Sequence, residues 1–284
     1  MLIVLRPHPG GGIGNYLFQL CHSITYAQIR EATLVVPRPI AFRTMNEEAI
    51  AFDFSSDRRS FDPNEIEVLP SFIHGNSATQ LLSFAYRYHC MQEYVKPLFD
   101  PSAGHESLGD DTLAIHIRSG DIFQPDGSNP KYGQPPLSWY QLLIEKSGYE
   151  DIVLVTQTRF VNGGPNPVVA EIQRRWPHVR VLSEGIEPDF HTLRHAAHLA
   201  LSGGTFAVAA AMLNTRLSRL HVPLYDREPD PNFTDIFPAG CDLGFERIGY
   251  EIGGYDDMRV WRNRPEQVAL MLEHSLESIR TVRE

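Results

Sequence analysis

Cysteine is scarce in this chain: Cys21, Cys90 and Cys241 are the only three, odd in number and far apart. No CxxC pair occurs, which excludes the usual zinc and dithiol-redox motifs, and isolated thiols fit a reducing compartment better than a disulfide framework. No apolar run approaches the length needed to span a bilayer, so the chain is expected to be soluble, or peripheral to a membrane at most. The opening MLIVLRP breaks off at Arg6 and Pro7. Its apolar run is too short for a signal peptide and reads as a first strand, so a cytoplasmic location is the expectation. Basic residues are in the minority, 25 Lys and Arg against 35 Asp and Glu, for a formal charge of -10. That argues against general nucleic-acid binding, which needs clustered cations over a broad surface, and any anion site must be local. Two nucleotide fingerprints are also missing. Counted from Gly12, a GxGxxG pattern meets Gly14 and then Leu17, and no GK followed by Ser or Thr occurs. There is no internal repeat and no low-complexity tract.

What is present is an ordinary globular composition, 42% hydrophobic and 21% charged over 284 residues. The length exceeds the usual single core and suggests two domains. The polar stretch Asp100 to Asp111 is the best linker, dividing the chain into residues 1–108 and 109–284. In the first part Leu2 to Leu5 reads as a strand, PHPGGGIGN as a glycine-rich loop, and Tyr16 to Arg30 as a helix with Leu17, Leu20, Ile24 and Ala27 at helical spacing. Thr33 to Val36 is a second strand, which makes a βαβ start. Pro37 to Pro70 reads as irregular connections around one or two short elements. Ser77 to Phe99 reads as one long helix with Ser77 as its cap.

The second part has the clearer rhythm. Strands are expected from Leu113, at Ile152 to Val155, Val179 to Leu182, Leu199 to Leu201 and, last, Arg219 to Val222. Helices are expected at Ser138 to Lys146, Pro167 to Trp176, Asp189 to His198 and Ala207 to Leu213. Alternation at these lengths predicts an α/β fold with a parallel, doubly wound sheet. Tyr225 to Arg262 reads as irregular, and Pro265 as the start of a terminal helix reaching roughly the end of the chain and packing back.

Three stretches carry candidate chemistry. In LAIHIRSGDIF, Leu113 to Phe123, alternation on a strand sends His116 and Arg118 to one side, and Gly120 and Asp121 close the turn. An arginine at a strand's carboxyl end is placed to take two phosphate oxygens of a nucleotide diphosphate, and the competing reading is an Arg118–Asp121 surface pair. The glycine loop before the first helix, and SGGTFAVAAAMLN at Ser202 to Asn214, each offer bare amides at a helix start. His191, His195 and His198, spaced four and three apart, could ligate a metal, but a hydrogen-bonded or solvated face is the better reading. Tyr132 to Tyr140, YGQPPLSWY, either stacks on a base or sugar or closes over the core, and a place near the donor is preferred.

Together GGGIGNYLFQL, IHIRSGD and SGGTFAVAAAMLN resemble the motifs, in order and spacing, of the inverting α-1,2-fucosyltransferases and the wider fucosyltransferase superfamily. The resemblance implies a GT-B architecture of two Rossmann-like domains facing across a cleft, with GDP-fucose as donor, a glycan or glycoconjugate acceptor, inversion at the anomeric carbon, and no cofactor or essential metal. Residue by residue, it implies that Arg118 contacts the donor diphosphate. Gly11, Gly12, Gly14 and Asn15 form the first-domain glycine motif, and Ser202, Gly203, Gly204 and Thr205 the second phosphate-side loop. The chain departs from the pattern at Tyr16, where Gln is usual, at Ser119, where a second Arg is frequent, and at Gly203 and Gly204, where serines stand. The general base is open among Asp121, His116, a first-domain group and the Tyr250, Glu251 region. A glycosyltransferase using another nucleotide sugar and a non-catalytic sugar- or nucleotide-binding module are the alternatives.

Overall fold

A computed structural model of the protein describes residues 2–5, 12–37, 49–54, 66–69, 84–99, 108–124, 133–159, 163–225, 244–255 and 260–283. The chain divides into two compact units, Met1–Gly104 and His105–Glu284. No helix among the described residues is long and apolar enough to cross a membrane.

The first unit holds strands β1 (Leu2–Leu5), β2 (Thr33–Pro37), β3 (Ala49–Asp53) and β4 (Ile66–Leu69) in the order β3-β2-β1-β4. β1 runs parallel to β2 and β4, and β3 is antiparallel to β2. Helix α1 (Ile13–Ile29) joins β1 to β2, the expected βαβ unit. It starts earlier than its periodicity suggests: Gly12 is the N-cap with ordinary extended angles, so Gly14 and Asn15 belong to the first helical turn, not to a loop. Leu17, Leu20, Ile24 and Ala27 are fully buried, and burial extends almost all round the helix from Ile13 to Thr25. The long helix expected from Ser77 is described only from Phe84, Ser77 itself lying outside the described residues. Helix α2 (Phe84–Cys90) loosens into a π turn at Met91–Val95 and tightens into a 3-10 turn at Lys96–Leu98, where Pro97 has no N–H to continue the ladder.

The second unit is built on seven strands: β5 (Thr112–Ile117), β6 (Asp151–Thr156), β7 (Arg180–Leu182), β8 (His198–Leu201), β9 (Arg219–Tyr225), β10 (Glu246–Ile252) and β11 (Ile279–Arg283). Their order is β11-β10-β9-β8-β5-β6-β7, all parallel except the β10–β11 pair. Growth runs outward from β5 to β6 and β7 on one side and from β8 to β9 and β10 on the other, the strand order of a doubly wound α/β sheet. The topological switch point therefore falls between β5 and β8. β5 is buried along its whole length, as its near-continuous apolar run requires of a central parallel strand. Helices α3 (Leu137–Lys146), α4 (Pro167–Arg175) and α7 (Pro265–Glu273) pack on one another, and α5 (Ile186–Arg194) packs on α6 (Thr205–Met212).

Two expectations fail at the end of the chain. β9 is not the last strand: the stretch read as irregular contains β10, whose Ile248, Tyr250 and Ile252 alternate into the core. The terminal helix stops at Glu273, and after a 3-10 turn the chain returns as β11, antiparallel to β10. β11 covers an edge that would otherwise present unpaired backbone groups.

Candidate anion site at the switch point

The carboxyl ends of β5 and β8 are neighbours, with His116 in register with Leu201. The two loops that leave them, Arg118 to Asp121 and Ser202 to Thr205, therefore start side by side in the crevice where open α/β sheets take ligands. The Arg118 N–H donates to Ser202 Oγ at 3.2 Å. Gly203 and Gly204 both have positive φ, 108° and 88°, which brings the chain sharply into α6. Gly204 is its N-cap and no side chain caps it. A β-carbon on Gly204 would sit 3.1 Å from Arg118 Nη1. The guanidinium is thus laid across the amino end of α6, one fixed cation beside the positive end of a helix dipole. Those two features repel unless negative charge lies between them.

Part of that charge comes from within. Arg118 Nε and Nη2 donate to the two carboxylate oxygens of Asp121 at 3.2 and 2.7 Å, the ion pair the sequence allowed as the competing reading. Asp121 is half-exposed and holds one edge of the guanidinium, and Nη1 lies on the other side, over Gly204. Pairing and phosphate binding are therefore compatible in this geometry: the carboxylate aims the fork and the helix start supplies the amides.

His116 sits beneath. It is buried, its Nδ1 is 3.5 Å from Ser202 Oγ, and its ring meets Phe206 at 5.7 Å. Burial, and then the Arg118 charge, push its pKa down to about 3, so the imidazole is neutral and a weak proton acceptor. It supports the loop; it is not suited to take a proton from an acceptor hydroxyl. Ser119, where the resemblance has a second arginine, is buried with its hydroxyl 2.8 Å from that of Thr156 at the end of β6.

In the second unit the structure thus brings together His116, Arg118, Asp121, Ser202, Gly203, Gly204 and Thr205. Gly12, Gly14 and Asn15 belong to the first unit, at the start of α1, and Gly11 lies outside the described residues. Comparison with protein-family models finds no matching family, and comparison with curated proteins finds no match.

The other candidates dissolve into structure. Tyr250 faces His221, whose Nδ1 is 2.7 Å from its hydroxyl, and Glu251 pairs with Arg280 on β11. His191 and His195 lie at the end of α5 with His195 Nδ1 2.8 Å from the His191 carbonyl, while His198 belongs to β8. The helix face supposed to hold all three does not exist, and no cluster of three metal-ligating side chains occurs among the described residues. Trp139 and Tyr140 are completely buried, stacked edge to face at 4.9 Å, and cannot lie against a donor. Tyr132 lies outside the described residues. What sequence reasoning missed is Asn166, buried beside Arg118, although an Asn followed by Pro167 at a helix start is a legible cap signal.

Proposed function

We propose that the second unit binds the diphosphate of a nucleotide sugar and that the chain is an inverting glycosyltransferase of GT-B arrangement. Its donor is GDP-fucose and its acceptor a hydroxyl of a glycan or glycoconjugate. The observation that carries the reading is the Arg118 guanidinium laid over Gly204 at the uncapped start of α6, at the switch point of a doubly wound sheet. In such a transfer the acceptor oxygen attacks the anomeric carbon, the bond to the phosphate oxygen breaks, and the departing diphosphate gathers negative charge. Fixed donors placed at that charge lower the barrier. Arg118 and the amides of Gly204 and Thr205 are those donors, Gly11, Gly12, Gly14 and Asn15 of the first unit contribute to binding the nucleotide sugar, and the first unit takes the acceptor.

Calorimetric titration with GDP and GDP-fucose, followed by GDP release in the presence of a glycan panel, tests the reading. Binding with glycan-dependent release supports it; neither binding nor release with any donor in a GDP-, UDP- and dTDP-sugar set ends it. Binding without release on any acceptor favours the second reading, a non-catalytic nucleotide-binding module, which has its own support: Asp121 is engaged by Arg118 and His116 is a poor base.

A further inference from the structure

The turn that carries Arg118 is gripped from outside by residues 163–166, which lead into α4. Gly120 N–H donates to the Gly164 carbonyl at 3.3 Å, an isolated antiparallel bridge. A β-carbon on Gly163 would fall 1.8 Å from the Gly120 carbonyl oxygen, and Gly163 has φ 83°, so only glycine lets the two backbones meet. Asn166, 2% exposed, then completes the hold: its amide donates to the Arg118 carbonyl at 2.8 Å and to Gln134 Oε1 at 3.3 Å. Its Oδ1 accepts the Val168 N–H at 2.9 Å and caps α4. With Ser202 accepting the Arg118 N–H, both main-chain polar groups of Arg118 are held by side chains from other loops.

Helix capping does not account for all of this. A cap requires only the oxygen, and serine caps as well as asparagine. The amide of Asn166 is used on the arginine's own peptide, which sets the direction in which its side chain leaves the backbone. The carboxylate of Asp121 fixes the guanidinium edge, but Asp121 stands on the same turn and moves with it. Contacts from Ser202 and from 163–166 hold the main chain of Arg118 itself, and the Ser119 hydroxyl, 2.8 Å from that of Thr156, ties the next residue of the turn to β6.

We propose that Asn166 is a positioning residue for the anion site, acting with Gly163 to aim Arg118 at the start of α6. The inference rests on the reading of Arg118 as a diphosphate contact. The test uses N166S in the full chain, a neutral change that keeps a capping oxygen and removes the amide. Calorimetry with inorganic pyrophosphate and with GDP reads affinity, and the ¹⁵N resonance of the Arg118 Nε, assigned with R118K, reads the guanidinium directly. The expected result is about tenfold weaker binding of both anions and a displaced Arg118 resonance in the ligand-free protein, with a cooperative thermal transition retained. A purely structural role for Asn166 predicts a lower melting temperature with anion affinity and the arginine resonance unmoved at temperatures below it, and that result overturns the proposal. If the unsubstituted protein binds neither anion, the diphosphate reading fails on its own, and the resonance alone decides whether Asn166 aims Arg118. Should N166S not fold, N166T, which is also neutral, keeps a capping oxygen and removes the amide, takes its place with the same two outcomes.

Discussion

At the scale of single residues the molecule's behaviour turns on Arg118 and the glycine beneath it. On the proposed diphosphate reading R118A removes a charge-assisted contact to phosphate, and it is then expected to weaken GDP binding at least about tenfold, measured by calorimetry. Because Arg118 is only partly buried and its main pairing is with the half-exposed Asp121, its loss should leave the melting temperature close to that of the parent. Gly204 behaves in the opposite way. Its φ of 88° and ψ of 149° lie where residues with a side chain are strained by about 1–3 kcal/mol, and the added methyl would press on Arg118 Nη1. G204A is therefore expected to lower the melting temperature by several degrees and to weaken GDP binding as well, a combination that differential scanning calorimetry and titration read separately. Parental affinity for GDP in R118A would remove the guanidinium from the site.

Elements show why the edge of the large sheet matters. β10 is parallel to β9 on one side, and on the other it depends on β11. Gly249 at its centre lies against Leu224, where a β-carbon would come within 2.7 Å of Leu224 Cδ1, so this strand packs close and has little side chain of its own there. Removing residues 276–284 would strip β11 and uncover a strand whose Ile248, Tyr250 and Ile252 are core. The expected outcome is a loss of thermal stability and concentration-dependent association through the exposed edge, seen by light scattering. A truncated protein that stays monodisperse with an unchanged transition would show that β11 is dispensable.

For the whole molecule, two buried histidines make stability depend on pH. His116 is held at about 3 by burial and the neighbouring Arg118, and His221 at about 3 by burial, His198 and Arg219, against 6.5 for each in the unfolded chain. Between those values the unfolded chain binds protons that the native protein refuses. Stability is therefore whole above about pH 6.5 and is lost as pH falls towards 3, by up to about 1.4 kcal/mol per pH unit for each histidine. Urea titrations between about pH 4.5 and 7 should show this slope, and H221Q should reduce it by one proton's worth; a slope unaffected by the substitution would mean that His221 is not neutral in the native state. The second unit, with its own sheet and its own buried core, is expected to unfold cooperatively when produced as residues 105–284. Because Arg118 and the Ser202 to Thr205 loop both lie within it, the GDP binding proposed for the full chain should survive in that fragment.

Periodicity and punctuation along the chain were enough to determine the α/β alternation of the second unit. The apolar run at Leu113 marks β5, Pro167 the start of α4, and the SGGT turn the start of α6, because each depends on local geometry that neighbouring residues impose wherever the chain goes. The placing of Arg118 at a strand end was legible for the same reason. Local pattern could not say that β5 and β8 would lie side by side, and only that adjacency brings the arginine over Gly204. Nor could it tell that Glu246–Ile252 and Ile279–Arg283 pair as strands: IRTVR is too short and too charged to be a strand on its own merits and becomes one by completing an edge. The grip of Asn166 on Arg118 spans 48 residues of chain, and Trp139 and Tyr140, equally able to stack on a ligand or fill a core, were assigned to the core by what surrounds them. Short-range sterics and hydrogen bonding act between neighbours in sequence and can be read there; contacts that join distant loops arise only once the sheet has chosen its strand order.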